Sequence, residues 1–308
     1  MDDAIAVIGS ANIDIGGYPS GALVEGDSNP GRVRLSLGGV GCNIARNLAL
    51  LGANVRFLTA LGGDPFAASV ERTLSGLGID LSLSLRIPSE NTSAYLFIVD
   101  ERGDMRAAVN DMGIYRRQTP AYFESVLPEL NACRAVFLDA NLSEEAIGFL
   151  AKSLRVPIFA DAVSAAKAEK LRRALGSLYA LKPNRMEAEL LSGVRIADIQ
   201  SAGEAARKLL GTGLRRVFIT LGADGVCAAD EGEAVHVPAL PARVKNLTGA
   251  GDAFAAAVAW AWLNDFPLRK TCLVGNAAAA IAAEAEETVS NLMSAEAVER
   301  RISMEERK

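Results

Sequence analysis

Two glycine clusters and one carboxylate are the residues of this chain best placed to do chemistry. The first cluster, Gly38-Gly39-Val40-Gly41-Cys42-Asn43, ends an extended segment and opens a helical run. The second, Thr248-Gly249-Ala250-Gly251-Asp252, again stands just before a helical run. Both put unblocked backbone amides at a helix N-terminus, where the dipole favours an anion, and glycine lets a ligand approach the backbone closely. Neither is a dinucleotide-binding fingerprint, because Ile44 and Phe254 stand where a third glycine belongs. Nor is either a Walker A loop, since the chain has no Gly-Lys pair. A tight strand-to-helix turn is the plain alternative for each cluster. Asp252 sharpens the second one. A carboxylate there could merely cap the helix, but a carboxylate beside a ring of amides also suits in-line phosphoryl transfer. The amides hold the transferred group and the carboxylate accepts the proton of the attacking hydroxyl. A magnesium ion would then need carboxylate or water-mediated partners. Asn184 and Glu187, three residues apart in Lys182-Pro183-Asn184-Arg185-Met186-Glu187, are the candidate pair. They also read as a capping box, and the two roles are compatible.

Composition supports chemistry without histidine. The 308 residues are 50% apolar and 22% charged, as in an ordinary globular protein, and hold a single histidine, His236. That excludes multi-histidine metal sites and leaves a Ser-His-Asp hydrolase only that one residue. His236 lies in the alternating run Ala234-Val235-His236-Val237, far in sequence from both glycine clusters, which favours a structural or surface role. Thirty-seven acidic against 32 basic residues give a net charge of −5, and no long Lys/Arg run could neutralise phosphates in series, so nucleic acid is not expected as a partner. Cys42, Cys133, Cys227 and Cys272 are scattered without a C-x-x-C pair, as expected of reduced thiols. The Met-Asp-Asp-Ala start lacks the basic region of a signal peptide. The longest apolar stretch, Ala253 to Leu263, is 11 residues against the about 20 needed to span a bilayer. The expectation is a cytoplasmic protein with no membrane partner.

The elements that must position these residues alternate between short apolar strands and helices. Strands are expected at Ala4–Ile8, Val55–Ala60, Ala135–Leu138, Pro157–Ala160 and Val217–Leu221. Helices are expected at Gly41–Leu51, after Asp64-Pro65, at Glu144–Lys152 and at Ala165–Leu175. This alternation predicts an α/β fold, a mainly parallel sheet with helices on both faces. From about residue 249 the chain is Ala-rich and helical: Ala253–Leu263, Leu268–Ala285, then a terminal helix from Ser294, with Arg307-Lys308 left as a fraying tail. Two stretches break the rhythm. Residues 13–36 hold Gly16-Gly17, Gly21, Pro30-Gly31 and the alternating Arg32–Leu37; residues 80–110 hold β-like runs at Ser84–Ile87, Ser93–Asp100 and Met105–Val109 with a turn at 101–104. These segments could form a small antiparallel sheet inserted in the body, either a lid over a substrate cleft or an edge and dimer surface.

At the residues of the two clusters the chain resembles the ribokinase-like (PfkB-type) family of sugar and nucleoside kinases, over nearly its whole length. One matched signature runs from Gly38-Gly39-Val40-Gly41-Cys42-Asn43-Ile44-Ala45 through Gly52 to Gly62, and the other is Asn246-Leu247-Thr248-Gly249-Ala250-Gly251-Asp252. Asn246 and Leu247 depart from the residues usual at their positions. The resemblance implies a ribokinase-like three-layer α/β/α body of residues 1–12, 37–79 and 111–308 with an inserted β lid of residues 13–36 and 80–110. It implies Asp252 as general base, with the amides of Gly249, Ala250 and Gly251 as an anion hole. Asn184 and Glu187 would organise Mg2+ through water, and Asn246 and Thr248 would adjoin a monovalent cation such as K+. Asn12, Asp14, Gly39 and Asn43 would grip the acceptor. Asn184, Thr220, Gly222, Gly225 and Asn276 would lie on the ATP side, and Lys167 is a candidate phosphate contact or a solvated helix residue. Within the family, the segments Gly9–Asp14, Asp27-Ser28-Asn29-Pro30-Gly31, Glu90–Ser93, Asn110-Asp111-Met112 and Asp161–Lys167 look like those of pseudouridine kinases. This adds Ser28 and Asn110 to the acceptor residues, although Asp27-Ser28-Asn29 also reads as an Asx-turn that bonds its own backbone. The implied reaction is transfer of the γ-phosphoryl of ATP to the 5′-hydroxyl of pseudouridine. The small-molecule nucleoside and ATP would be its partners, with a homodimer formed through unpaired lid edges. Alternatives are a ribokinase or other nucleoside kinase, and a binding protein that kept the fold without catalysis.

Overall fold

The computed structural model describes residues 3–306; Met1, Asp2 and the expected tail Arg307-Lys308 lie outside them. Along the chain the strands are β1 (Ile5–Ile8), β2 (Asn12–Pro19), β3 (Gly31–Gly38), β4 (Val55–Leu58), β5 (Ala60–Gly62), β6 (Leu85–Ile87) and β7 (Ala94–Val99). They continue with β8 (Met105–Asp111), β9 (Ala135–Asp139), β10 (Ile158–Asp161), β11 (Ala180–Lys182), β12 (Arg216–Thr220), β13 (Val226–Asp230) and β14 (Ala234–Val237). Eight of them form the central sheet in the order β14-β13-β12-β11-β10-β9-β1-β4. From β4 to β12 every pairing is parallel, and β13 and β14 close one edge antiparallel.

Because side chains alternate across a strand, the sheet divides the apolar residues into two cores. Ile5, Val7, Phe57 and Phe137 face one side, against the helices Val40–Leu50, Ala250–Leu263 and Leu268–Ala283. Ala6, Ile8, Leu58, Val136 and Leu138 face the other, against Glu144–Ser153 and Ile199–Leu210. The result is the three-layer α/β/α body that the alternating elements predict. No helix among the described residues is long and apolar enough to cross a membrane.

A separate four-stranded sheet has the order β3-β2-β7-β8. Its β2–β3 and β7–β8 pairs are antiparallel and its central β2–β7 pair is parallel. It takes in the two segments that break the α/β rhythm, and β2 runs straight through Gly16-Gly17: Gly16 lies under rings, and a Cβ there would come within 2.8 Å of Phe97 and Tyr18. There are two differences. Leu85–Ile87 does not join this sheet but pairs with Ala60–Gly62 in a two-stranded sheet of its own. The sheet also extends to Asn12, Gly38 and Asp111, which cross into it from the body. In the body, the helix expected over Ala165–Leu175 is α-helical only to Ala168 and then winds as a 3-10 helix over Glu169–Ser177. There, residues three apart eclipse, and Glu169 and Arg172 use that alignment for a two-pronged ion pair at 2.5 and 2.8 Å. Strands β11 and β13, absent from the sequence reading, are short runs without alternation.

Candidate active site

The second glycine cluster is a turn into a helix. Gly249 adopts φ 88°, which only glycine takes without strain, and turns the chain into the helix Ala250–Leu263. No side chain among the described residues caps that helix, so its start stays open to an anion. One amide of the expected ring is partly spent: Ala250 N–H donates to the Leu247 carbonyl in a long 3.3 Å turn bond. Behind Gly249 packs the Thr288 carbonyl, so close that any Cβ would collide with it. Asn246 anchors the same loop. Its amide nitrogen donates to Glu286 O at 3.1 Å and its oxygen accepts from Thr248 N–H at 2.9 Å. Asn246 and Thr248, expected beside a monovalent cation, are thus engaged with the loop itself.

Asp252, in the first turn of this helix, meets the first cluster directly. Asn43 Nδ2 donates to Asp252 Oδ2 at 2.8 Å across 209 residues of sequence. Withdrawal from water, and then the neighbouring charge of Asp161, push the Asp252 carboxyl up to about 7. Asn43 and Lys182 oppose the shift. Asn43 Oδ1 is buried without a partner, so one acceptor points into this region unused.

Three residues that the sequence reading did not assign complete the floor. Asp139, Asp161 and Lys182 end β9, β10 and β11, and the register places Asp161 beside both Asp139 and Lys182. In parallel sheets the carboxyl ends of the strands are where ligands bind. Lys182 Nζ pairs with Asp161 Oδ2 at 2.8 Å, both side chains nearly out of solvent. The same ammonium lies 3.1 Å from the position a Cβ on Gly251 would take, against the open helix start. Burial would lower its pKa, but Asp161, Asp252 and Glu187 together raise it, so Lys182 stays charged. Asp139 Oδ2 accepts from Ser10 N–H, Ser10 Oγ and Gly41 N–H at 2.8, 2.9 and 2.8 Å. It thereby locks the end of β1 to the first glycine cluster. In the sequence each of the three is a charged residue closing an apolar run.

Among the residues expected to hold the acceptor, Asn12 Nδ2 donates to Asp14 Oδ1 at 2.5 Å, and burial raises the Asp14 carboxyl to about 6 against that bond. Gly39, at φ 98°, starts the helix Val40–Leu50, and a Cβ there would lie 2.5 Å from Ser10 O. The strand register aligns Ser36, Asp14, Tyr95 and Asn110 in one row on one face of the small sheet. Asn110 is therefore on the Asp14 face, exposed on the edge strand. The same face carries Phe97, in contact with Tyr95 at 5.7 Å and Tyr18 at 6.1 Å between ring centroids. Lys167 is not a solvated helix residue. Its Nζ donates to Asn141 Oδ1 at 2.5 Å, and Asn141 Nδ2 donates to Ser10 Oγ at 2.8 Å, which ties it to the Asp139 floor. Ser28 is not brought to the site: it lies beyond the Pro19–Gly31 pair, about 23 Å of strand from Asn12. There Asp27 accepts from Ser28 N–H, and Asn29 bonds the Val24 and Asp27 backbone, as the Asx-turn alternative has it.

The residues expected on the nucleotide side lie toward the β14 edge of the sheet. Asn184 and Glu187 do form the capping box. Asn184 Oδ1 accepts from Glu187 N–H at 2.9 Å, and Glu187 Oε2 accepts from Asn184 N–H at 2.7 Å. Thr220 bridges to Asn184 across the sheet end. Gly222 and Gly225, both at positive φ, turn β12 into β13, with Gly225 pressed on the Val237 carbonyl. Asn276 Nδ2 donates to Val237 O and Pro238 O at 3.2 and 2.8 Å, so its amide nitrogen holds the chain beyond β14. His236 Nε2 meets Asp224 O at 2.7 Å in the same turn, a structural bond.

Comparison with known proteins shows the family and the fold. A pseudouridine kinase of Escherichia coli is 38% identical over 288 residues, spanning 93% of this chain and 92% of its own. Among solved structures, a carbohydrate kinase from Agrobacterium tumefaciens superposes with TM-score 0.87 at 32% identity, covering 98% of this chain and 97% of its own. The ribokinase of Thermotoga maritima superposes with TM-score 0.87 at 26% identity, covering 98% of this chain and all of its own. The family model for pfkB family carbohydrate kinases matches residues 2–295. With a ribokinase fold and a match over nearly its whole length, the chain belongs to the pfkB family of carbohydrate kinases.

Proposed function

We propose that this kinase transfers the γ-phosphoryl group of ATP to the 5′-hydroxyl of pseudouridine, giving pseudouridine 5′-phosphate and ADP. The observation that carries the mechanism is Asp252, held by Asn43 at 2.8 Å at the start of an uncapped helix. A carboxyl raised to about 7 is ionised in a useful fraction near neutral pH and still takes up a proton readily. The acceptor oxygen forms its bond to the γ-phosphorus as the bond to the ADP oxygen breaks, and the hydroxyl proton passes to Asp252. The amides of Gly249 and Gly251, with Ala250 once its turn bond yields, receive the charge that develops on the transferred group. The Lys182 ammonium adds a fixed positive charge beside them.

Asn12 and Asp14 hold the sugar hydroxyls, with Asn43 and the Gly39 backbone below them. Thr220, Gly222 and Gly225 shape the nucleotide side. Mg2+ would neutralise phosphate charge, and the residues present fit an ion held through its water shell. Both Glu187 oxygens already accept from Asn184, at 2.7 and 2.8 Å, and each keeps a lone pair for water.

Two features support a base-bearing acceptor over a free sugar. One is the likeness to the E. coli pseudouridine kinase. The other is the group of Tyr95, Phe97 and Tyr18 on the lid face that bears Asp14 and Asn110. In this reading the β2-β3-β7-β8 sheet is a lid that excludes water from the reacting groups. Its opposite face exposes Val33, Leu35, Leu96, Ile98 and Val109, which fits burial against the lid of a second copy. The buried, scattered cysteines fit a reducing, cytoplasmic setting. The test is a panel of pseudouridine, uridine, adenosine and ribose with ATP, read as kcat/KM. Pseudouridine is expected to lead; equal or better use of ribose overturns the assignment.

A further inference from the structure

One tyrosine in the body clamps the point where the chain enters the lid. Ala11 lies between β1, in the central sheet, and β2, in the lid sheet, and is fully buried. A residue leaving one sheet for another has no ladder partner, yet its buried N–H and C=O must be satisfied. The Tyr115 hydroxyl satisfies both. It accepts from Ala11 N–H at 2.7 Å and donates to Ala11 O at 2.5 Å, across 104 residues of sequence. A single side chain thus replaces a missing strand at the junction.

Tyr115 sits in the turn Gly113–Arg117, where the chain returns from β8 to the body. Its ring fills a small core of its own with Ala60 and Ile114, edged by Leu85, Ile87 and Met112. Phenylalanine would fill that core as well, so packing alone does not account for the hydroxyl. Another entry to the lid converges here, since Ile13 N–H donates to Ser93 O at 3.0 Å one residue before β7 begins. The hydroxyls of Thr59 and Ser93 lie beside the Tyr115 oxygen. Both are buried and have no other hydrogen-bond partner among the described residues, while the Asp139 bonds to Ser10 and the Ile13 bond to Ser93 hold the chain on either side of Ala11.

We propose that Tyr115 is a positioning residue for acceptor binding: by fixing both backbone groups of Ala11 it sets the direction in which β2 leaves the body, and so the place of Asn12 and Asp14. This rests on the reading of Asn12 and Asp14 as the residues that hold the acceptor. Asp14 is three residues beyond the clamp, about 10 Å along the strand, so a tilt of about 10° there displaces its carboxylate by about 2 Å. A displacement of that size breaks hydrogen bonds to a substrate. The residues assigned to the nucleotide side, at the end of β12, in the turn between β12 and β13, before the helix from Arg185 and on the helix Leu268–Ala283, are on elements that Tyr115 does not hold.

Tyr115→Phe keeps the ring and deletes the clamp. With pseudouridine and ATP, the acceptor KM is expected to rise about tenfold or more, while the ATP KM stays within about twofold and kcat within about threefold. An unchanged acceptor KM, or an ATP KM that rises in step with it, overturns the proposal. Combined with Asp14→Asn, the added loss in acceptor KM should be small, because Tyr115 acts through Asp14; full multiplication of the two effects contradicts it. A measurement on the unaltered protein keeps the claim testable if the variant does not fold. The Ala11 amide should exchange with deuterium as slowly as those of Ile5–Ile8, and exchange as fast as the exposed strand β8 would refute the clamp. Absence of wild-type turnover of pseudouridine would instead sink the substrate assignment, and the exchange result would still decide the clamp.

Discussion

Replacing Asp252 with Asn should make the protein more stable and nearly inactive at the same time. The carboxyl moves from 3.8 to about 7 on folding, chiefly by loss of water and then by the charge of Asp161. A folded pKa above the unfolded one means that the native state binds the proton more tightly. The ionised form is therefore penalised, and stability is lost as pH rises from about 3.8 to about 7, then stays level. At about 1.4 kcal/mol per tenfold change in proton affinity, the penalty above pH 7 is on the order of 4 kcal/mol at most. An asparagine carries no such penalty and can still accept from Asn43 Nδ2. Urea unfolding of wild type and Asp252→Asn at pH 8 and pH 4.5 gives the test. The variant should be the more stable at pH 8, with the gap shrinking steeply toward pH 4.5. Its kcat should fall by about 10²–10⁴, the usual worth of a general base. A variant less stable than wild type at pH 8, or one whose gap does not depend on pH, would refute the electrostatic reasoning. Near wild-type turnover would refute the mechanism.

Three further outcomes follow from the same geometry. The kcat/KM for the acceptor should rise about tenfold per pH unit up to about 7, where Asp252 ionises. It should steepen below about 6, where Asp14 also takes a proton; a flat profile from pH 5.5 to 8 would contradict both assignments. Lys182→Met strands Asp161 as an uncompensated buried charge and should cost about 3–5 kcal/mol in urea unfolding. It also removes a cation that holds Asp252 down, so the acid limb of the pH profile should move toward alkaline pH. Gly249→Ala forces a Cβ against the Thr288 carbonyl at φ 88°. It should lower kcat at least 10²-fold, about the loss of one anion-hole donor, in a protein whose far-ultraviolet spectrum is unchanged.

Much of the body and half of the site were legible in the sequence for local reasons. Glycines at positions that demand positive φ or close backbone approach, such as Gly39 and Gly249, announce themselves before a helix. Apolar runs bounded by helices announce a parallel sheet. The floor of the site was not legible. Asp139, Asp161 and Lys182 each close an apolar run, and only the register of three parallel strands brings them side by side. The role of Gly16 was hidden for a related reason, since it makes room for Phe97, a residue 81 positions away that only the β2–β7 pairing brings over it. Ser28 illustrates the converse. Its segment looks like a recognition loop, yet local bonds to the backbone explain its polar residues in the single chain. Tyr115 carried no signal at all, because its partner is a backbone group with no side chain to pair with it.

The central claim is phosphoryl transfer from ATP to one particular hydroxyl, and proton-coupled phosphorus NMR of the product reads it directly. Pseudouridine incubated with enzyme, ATP and Mg2+ should give one new phosphomonoester whose signal is a triplet, split by the two 5′ protons, together with an equal amount of ADP. A doublet, which marks phosphate on a ring hydroxyl, or ADP formed with free phosphate and no new ester, would contradict the account.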